Sequence, residues 1–154
     1  MKTATGFGDN MKEVYHRPDS VEVRKSPVHG IGVFAKRDIA RKEIIEECFI
    51  VVINALGEKD FYEHVDENLM RYLYTCEERH SFITNKMEEL VAIPLGIGSC
   101  FNHHDKFNVD YIMDVKNKLF TYVAHRDINQ DEELFIRYDK ERELMAKPEE
   151  SKNG

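Results

Sequence analysis

Three groups of residues in this 154-residue chain have types and spacing that chemistry could use. The first is Gly30-Ile31-Gly32-Val33-Phe34-Ala35, which matches the G-x-G-x-x-A turn of dinucleotide-binding folds, with Glu46 or Glu47 near the usual acidic offset. Its surroundings contradict that use. Ser26-Pro27-Val28-His29 before it reads as a turn, and Lys36-Arg37-Asp38 after it opens no convincing amphipathic helix. A doubly wound fold would also need more βαβ units than the chain holds. Two readings stay open: a tight hairpin turn, and a glycine stretch that lets backbone approach a ligand. The second group, Asp127-x-Asn129-x-Asp131, imitates a calcium loop. It has Glu132 where the sharp turn needs glycine and Tyr138 where a bidentate Glu belongs, so it is read as a polar turn between strands. The third is His103-His104-Asp105. Neighbouring side chains of an extended chain point to opposite sides, so one metal ion rarely takes both histidines. Loop or hydrogen-bonding roles are the simpler reading, and no metal is expected.

The elements that must position these residues are mostly short strands. Val21 and Val23 alternate with charges, and Ile44 to Ile53 is a β-branched run long enough for a strand with a bend. Val109, Tyr111, Met113 and Val115 alternate strictly, as a half-buried strand does. Leu119 to Ala124 follows a turn, and Leu134 to Tyr138 is a further strand. Phe61, Val65, Leu69, Tyr72 and Cys76 recur at helical spacing and predict one amphipathic helix. A second helix is expected from Lys140 to Lys147, with Leu144 and Met145 facing inward. The expected fold class is α+β, mainly β, with one or two helices. Residues 1–19 read as a mobile or loosely packed arm, 20–147 as the domain, and 148–154 as a polar tail.

Composition excludes several classes. One domain is the natural reading of this length. Nine Phe and seven Tyr supply bulky core material, so the chain is not disordered. With 22 Lys+Arg against 29 Asp+Glu, the formal charge is −7. That balance argues against direct nucleic-acid binding, which needs cations to neutralise phosphates, and it suits a basic partner. Cys48, Cys76 and Cys100 are odd in number and widely spaced, which disfavours a disulfide framework or a cysteine-based zinc site. No apolar run is long enough for a membrane helix, and no signal peptide is seen. An intracellular location is expected.

Three motifs in order carry a resemblance. A Gly-x-Gly turn at Gly30 is followed by Gly96-Ile97-Gly98-Ser99-Cys100-Phe101-Asn102-His103, and Arg126-Asp127-Ile128-x-x-x-Glu132-Glu133-Leu134-x-x-x-Tyr138 closes the series. In this order and spacing they resemble the SET-domain protein-lysine methyltransferases, above all the compact viral and prokaryotic members. The likeness runs from about Val21 to Tyr138 and implies a fold of several small curved sheets.

The resemblance implies roles residue by residue. Gly30, Ile31 and Gly32 would let main chain close over S-adenosylmethionine. The central N-H-S-C-x-P-N motif reads Asn102-His103-His104-Asp105-Lys106-Phe107-Asn108 here. Asn102 and His103 would contact the cofactor, partly through main chain, while His104, Asp105 and Phe107 depart from the pattern. Tyr138 matches the catalytic tyrosine. Tyr111 matches a tyrosine of the lysine channel. Tyr72 is either a channel residue or a core tyrosine. Ile136 occupies the position, two before Tyr138, where an aromatic residue often limits the number of methyl groups added. An aliphatic residue there implies di- or trimethylation. Asp131 stands for the usual glycine in the R-D-I-x-x-G-E-E-L segment, a mild change because Asp tolerates left-handed backbone. No zinc-binding flanking segments are present, so the Lys140–Lys147 segment or a homodimer would cover the channel.

The implied activity is methyl transfer to the ε-amine of lysine in a basic protein segment, such as a histone tail. The location would then be cytoplasmic, or nuclear for a histone. A non-catalytic, peptide-binding SET-like module is the alternative. The chemistry needs a neutral amine, whereas free lysine has a pKa near ~10.4. An aromatic channel that strips water favours the neutral form.

Overall fold

Alternating apolar and polar residues set some of the strands, and apolar runs and tertiary pairing set the rest. The computed structural model describes residues 12–55, 63–70, 72–81 and 86–138. In chain order its strands are β1 (Val21–Lys25), β2 (Ile31–Ala35), β3 (Ile44–Ala55), β4 (Tyr74–Ser81), β5 (Lys86–Pro94), β6 (Asn102–His103), β7 (Val109–Asp114), β8 (Leu119–Ala124) and β9 (Glu133–Ile136). One turn of helix spans Glu67–Met70, and a 3-10 turn spans Ile97–Cys100. No helix among the described residues is long and apolar enough to cross a membrane.

The strands form two sheets. One has five strands in the order β4-β5-β3-β8-β7, and the other has four in the order β1-β2-β9-β6. β3 is the spine of the larger sheet. Its first half pairs antiparallel with β8 and its second half with β5. The register with β8 slips between Ile44 and Glu46, so one extra residue is inserted there. Such a bulge re-aims side chains. Here Ile45 and Glu46, adjacent in sequence, are both buried. The bend expected in this run is therefore a bulge. In the smaller sheet β6 lies parallel to β9, pairing Asn102 with Phe135 and His103 with Ile136.

The core is aromatic at its centre. Tyr74, Tyr122, Phe101 and Phe120 are its largest fully buried side chains. Phe120 packs against Tyr74 at 4.7 Å and stacks on Tyr122 at 4.9 Å between ring centroids. Such pairs add stabilisation beyond the area they bury.

The helix expected from Phe61 to Cys76 is corrected. Its Phe61 end lies outside the described residues, and Tyr72 and Leu73 close the Glu67–Met70 turn by hydrogen bonds back to Leu69 and Met70. β4 then begins at Tyr74, opposite Ala92. Helical spacing loses there because β5 offers a backbone ladder along Tyr74–Ser81, with one register slip between Thr75 and Glu77, and the core takes the Tyr74 ring. The β4–β5 hairpin is absent from the strands read in the sequence, since Glu77, Glu78, Arg79 and His80 hide it. The helix expected over 140–147 lies outside the described residues, as do 1–11 of the arm. Residues 12–16 are tied to β3. The Glu47 amide donates to the His16 carbonyl, and the Glu47 carboxylate takes the His16 amide and the Lys12 ammonium.

Asn108 fastens the loop after β6 to β9. Its side-chain amide donates to the Glu133 carbonyl at 2.9 Å, and its side-chain oxygen accepts the Phe135 amide at 2.7 Å. Its own amide donates to the Phe135 carbonyl, and its carbonyl accepts the His125 amide. Asn108→Ala leaves two buried backbone groups of β9 without those partners. The expected loss is about 2–3 kcal/mol, the sum of two such orphaned groups at the lower end of their range. Urea denaturation of the variant measures it, and a midpoint within error of the parent would contradict it.

Candidate active site

Gly30 has a φ of +50°, the left-handed region that glycine enters most easily, and a Cβ built there would meet nothing within 4 Å. The turn is closed by the Ser26 amide donating to the Gly30 carbonyl. The Ser26 hydroxyl accepts the Val28 and His29 amides and donates to the Glu133 carboxylate at 3.0 Å. Gly32 has a different reason. A Cβ there would overlap the Glu133 carboxylate. Lack of a side chain at Gly32 thus makes room for a buried acid from β9.

The Asn102 side-chain nitrogen lies 3.1 Å from the His29 carbonyl, 3.0 Å from the Ile31 carbonyl and 2.9 Å from the Glu133 carboxylate. The Gly turn, β6 and the start of β9 are laced at one point. The Asn102 side-chain nitrogen is committed to this lacing. Val28 and Ile31 keep 56% and 52% of their surface exposed, so the turn presents apolar area beside its backbone.

Tyr138 follows β9 by two residues. Its hydroxyl donates to the Phe101 carbonyl at 2.7 Å, and its amide donates to His103 Nδ1 at 3.0 Å. The two rings pack at 5.3 Å. With Nδ1 accepting, the His103 ring carries its hydrogen on Nε2. Of the three residues His103, His104 and Asp105, Asp105 Oδ1 lies 3.6 Å from His103 Nε2, while His104 turns to other partners. The His104 ring packs on Phe135 while its Nδ1 accepts the Lys106 amide. Among the described residues no group of three or more His, Cys, Asp or Glu is placed to hold a metal ion. Phe107 packs on His125 at 5.0 Å, so the departures at 104 and 107 are absorbed by local contacts.

Tyr111 is half-buried in the aromatic cluster, 5.4 Å from Tyr74 and 5.3 Å from Phe120. Phe101 joins that cluster to Tyr138, since its ring packs on Tyr122 at 4.9 Å while its carbonyl holds the Tyr138 hydroxyl. Tyr72 stands apart on the connection into β4 and is 42% exposed. Ile136 is fully buried in the core and backs this end of β9 from inside. The structure therefore gathers Gly30, Ile31, Gly32, Asn102, His103 and Tyr138 at one place, with Tyr111 reached through Phe101.

Sequence reasoning missed two buried acids, Glu133 as a tie point and Glu46 as a cap. The Glu46 carboxylate accepts the Ile97 amide at 3.0 Å and the Gly98 amide at 3.1 Å. A Cβ at Gly96 would overlap that carboxylate, and one at Gly98 would overlap the Tyr122 hydroxyl. The signal was the second Gly-x-Gly, whose glycines answer to buried polar atoms. Burial pushes the Glu46 carboxyl above its ordinary value, and the two amides pull it part of the way back. Burial, aided by the Glu46 charge, pushes the Cys48 thiol up to about 12 and raises Cys100. Raised pKa values hold both as thiols near neutral pH, which makes them poor nucleophiles.

Residues 30–139 match a family model described as the SET domain. A histone-lysine N-methyltransferase, H3 lysine-37 specific, of Schizosaccharomyces pombe is 30% identical over 118 residues, 77% of this chain and 72% of that protein. A crystal structure of a Plasmodium falciparum protein assigned as a histone methyltransferase superposes with a TM-score of 0.54 and 30% identity, covering 79% of this chain and 94% of that one.

The Gly32 geometry makes a prediction about stability. Gly32→Ala forces the Glu133 carboxylate from its pocket. It should destabilise the protein by about 1–3 kcal/mol, the scale of overpacking, with no ligand added. Thermal melts of the free protein measure this. A variant that melts with the parent would leave ligand approach as the reason for glycine.

Proposed function

The chain belongs to the SET-domain family, and we propose from that premise that it transfers methyl groups from S-adenosylmethionine to the ε-amine of lysine in basic protein segments. The observation that carries this reading is the Tyr138 hydroxyl, held on the Phe101 carbonyl beside Asn102, His103 and the Gly30 turn.

The residues present fit the cofactor. Open space at Gly30 and exposed apolar surface on Val28 and Ile31 suit a group that is partly flat and apolar. Gly30, Ile31 and Gly32 would hold it through main chain, with Asn102 and His103. When bound, it supplies an electrophilic methyl group on a sulfonium. The chain's own residues do the rest. With the Tyr138 hydrogen committed to the Phe101 carbonyl, its oxygen would act toward the amine as an acceptor, orienting an amine N–H. Aromatic walls such as Tyr111 exclude water and favour the neutral amine. Alignment of the reacting atoms supplies much of the remaining rate.

The substrate is proposed to be a lysine in an extended basic segment, drawn by the charge of −7. The outer strands β4 and β7 each leave an edge on which such a segment can add as a strand. Histone tails and other basic proteins share this chemistry, and the proposed compartment is the nucleus for a histone and the cytoplasm otherwise. A purely binding module is less well supported. It gives no reason for a tyrosine hydroxyl fixed by a 2.7 Å bond.

Ile136 sets the proposed product. The Ile136 side chain itself brings no hydroxyl to anchor a water and no flat ring to crowd the amine, so a methylated amine would rotate and present its lone pair again. Di- or trimethyl-lysine is expected.

Incubation with labelled S-adenosylmethionine and a whole-cell lysate, followed by mass spectrometry, should reveal methylated lysine. Tyr138→Phe should cut turnover by roughly 10²-fold or more, the scale of losing one oriented catalytic hydrogen bond, with cofactor affinity retained. Parental turnover in that variant would remove the hydroxyl from the chemistry. An exhaustive time course should end in di- or trimethyl-lysine for the parent and shift toward monomethyl-lysine for a folded Ile136→Tyr variant. Strict monomethylation by the parent would refute the role given to Ile136.

A further inference from the structure

The 3-10 turn Ile97–Cys100 begins at Gly96, which has no side chain with which to cap the first free amides. Glu46, arriving from the central strand β3, supplies the missing acceptor. Its carboxylate takes the Ile97 amide at 3.0 Å and the Gly98 amide at 3.1 Å, and it is 4% exposed. It fits only because Gly96 has no Cβ. The bulge before Glu46 in β3 turns it inward, next to the equally buried Ile45.

The other side of the same segment holds tyrosines. The Gly98 carbonyl accepts the Tyr74 hydroxyl at 3.1 Å, and the Tyr74 hydroxyl in turn accepts that of Tyr122 at 3.3 Å. Three residues further on, the Phe101 carbonyl accepts the Tyr138 hydroxyl. The segment is thus clamped between a carboxylate at its amides and phenols at its carbonyls. Its rotation would carry the Phe101 carbonyl with it, and the direction of the Tyr138 lone pairs would follow.

Resting on the role proposed above for Tyr138, we propose that Glu46 is a positioning residue, which fixes the Ile97–Phe101 segment and through it the hydroxyl of Tyr138. Glu46 touches neither substrate nor cofactor in this scheme. Its effect is on turnover, since a misplacement of about 1 Å at a reacting group costs on the order of 10²-fold.

Glu46→Gln tests it. The amide keeps an oxygen for one backbone N–H and turns an NH2 toward the other. With core histones or the acceptor identified by lysate labelling, kcat should fall about 10- to 100-fold while KM stays within about twofold. The same substitution in a Tyr138→Phe background should change kcat by less than about twofold, because coupled residues are non-additive. A loss of stability common to both backgrounds cancels in this cycle. Independently of any acceptor, amide exchange at Ile97 and Gly98 should quicken, and the ring-carbon NMR signal of Tyr138 that reports its hydroxyl hydrogen bond should shift. An unchanged kcat, an equal loss in both backgrounds, or an unmoved Tyr138 signal overturns the proposal. If Tyr138→Phe turns over as the parent does, the role of Tyr138 fails first and this proposal fails with it. Should Glu46→Gln not fold, the same cycle and signals are read with Glu46→Asp, which keeps the charge but withdraws it by one methylene.

Discussion

The Glu133 carboxyl group lies where β2, β6 and β9 meet, and a buried polar group of this kind must be given hydrogen-bond partners or the fold loses several kcal/mol. It receives the Ser26 hydroxyl from the turn before β2 and the Asn102 side chain from β6. Gly32 makes the space it occupies. Ser26 and Gly32 flank one turn, whereas Asn102 and Glu133 come from distant parts of the chain. Their convergence brings the Gly30 turn against the Asn102-His103 segment, and the parallel pairing of β6 with β9 then carries His103 up to Tyr138. The candidate site is therefore a consequence of satisfying one acid.

A second acid repeats the arrangement on the other sheet. Glu46 is buried, takes two backbone amides, and sits against Gly96 as Glu133 sits against Gly32. Both Gly-x-Gly segments are shaped by a carboxylate lying where a Cβ would be. Low dielectric strengthens such bonds when they are complete and penalises them when they are broken. Segments held this way keep a single geometry, which is what alignment of a methyl donor and an amine requires. Phe101 links the two sheets, with its ring on Tyr122 and its carbonyl on Tyr138.

The three motif departures also find their place. His104 and Phe107 are taken up in ring contacts with Phe135 and His125, and Asp105 stays at the surface near His103 Nε2. Asn108, the last residue of that motif, carries the structural burden of the loop through four hydrogen bonds with β9 and His125. Asp131, in place of glycine, adopts a φ of 68°, as its tolerance of left-handed backbone allows.

The sequence by itself determined what is local. Strict alternation marks β7, the turn after it marks the start of β8, the β-branched run marks β3, and the order of the Gly30, Asn102 and Tyr138 motifs identifies the family. Period and motif survive in one dimension because they depend on neighbours a few residues away. What the chain alone did not disclose depends on partners far along it. β4 is a strand because β5 pairs with it, against a helical spacing that would have continued through Tyr72 and Cys76. Glu46 faces inward because a bulge breaks the period of two in β3. Ile136 is buried because the core closes over it. Ser26 and Glu133 are 107 positions apart, and no pattern within either segment says that the two must share a hydrogen bond. Only the tertiary structure decides which glycine makes room for which carboxylate, since the steric and electrostatic demand arises when sheets meet.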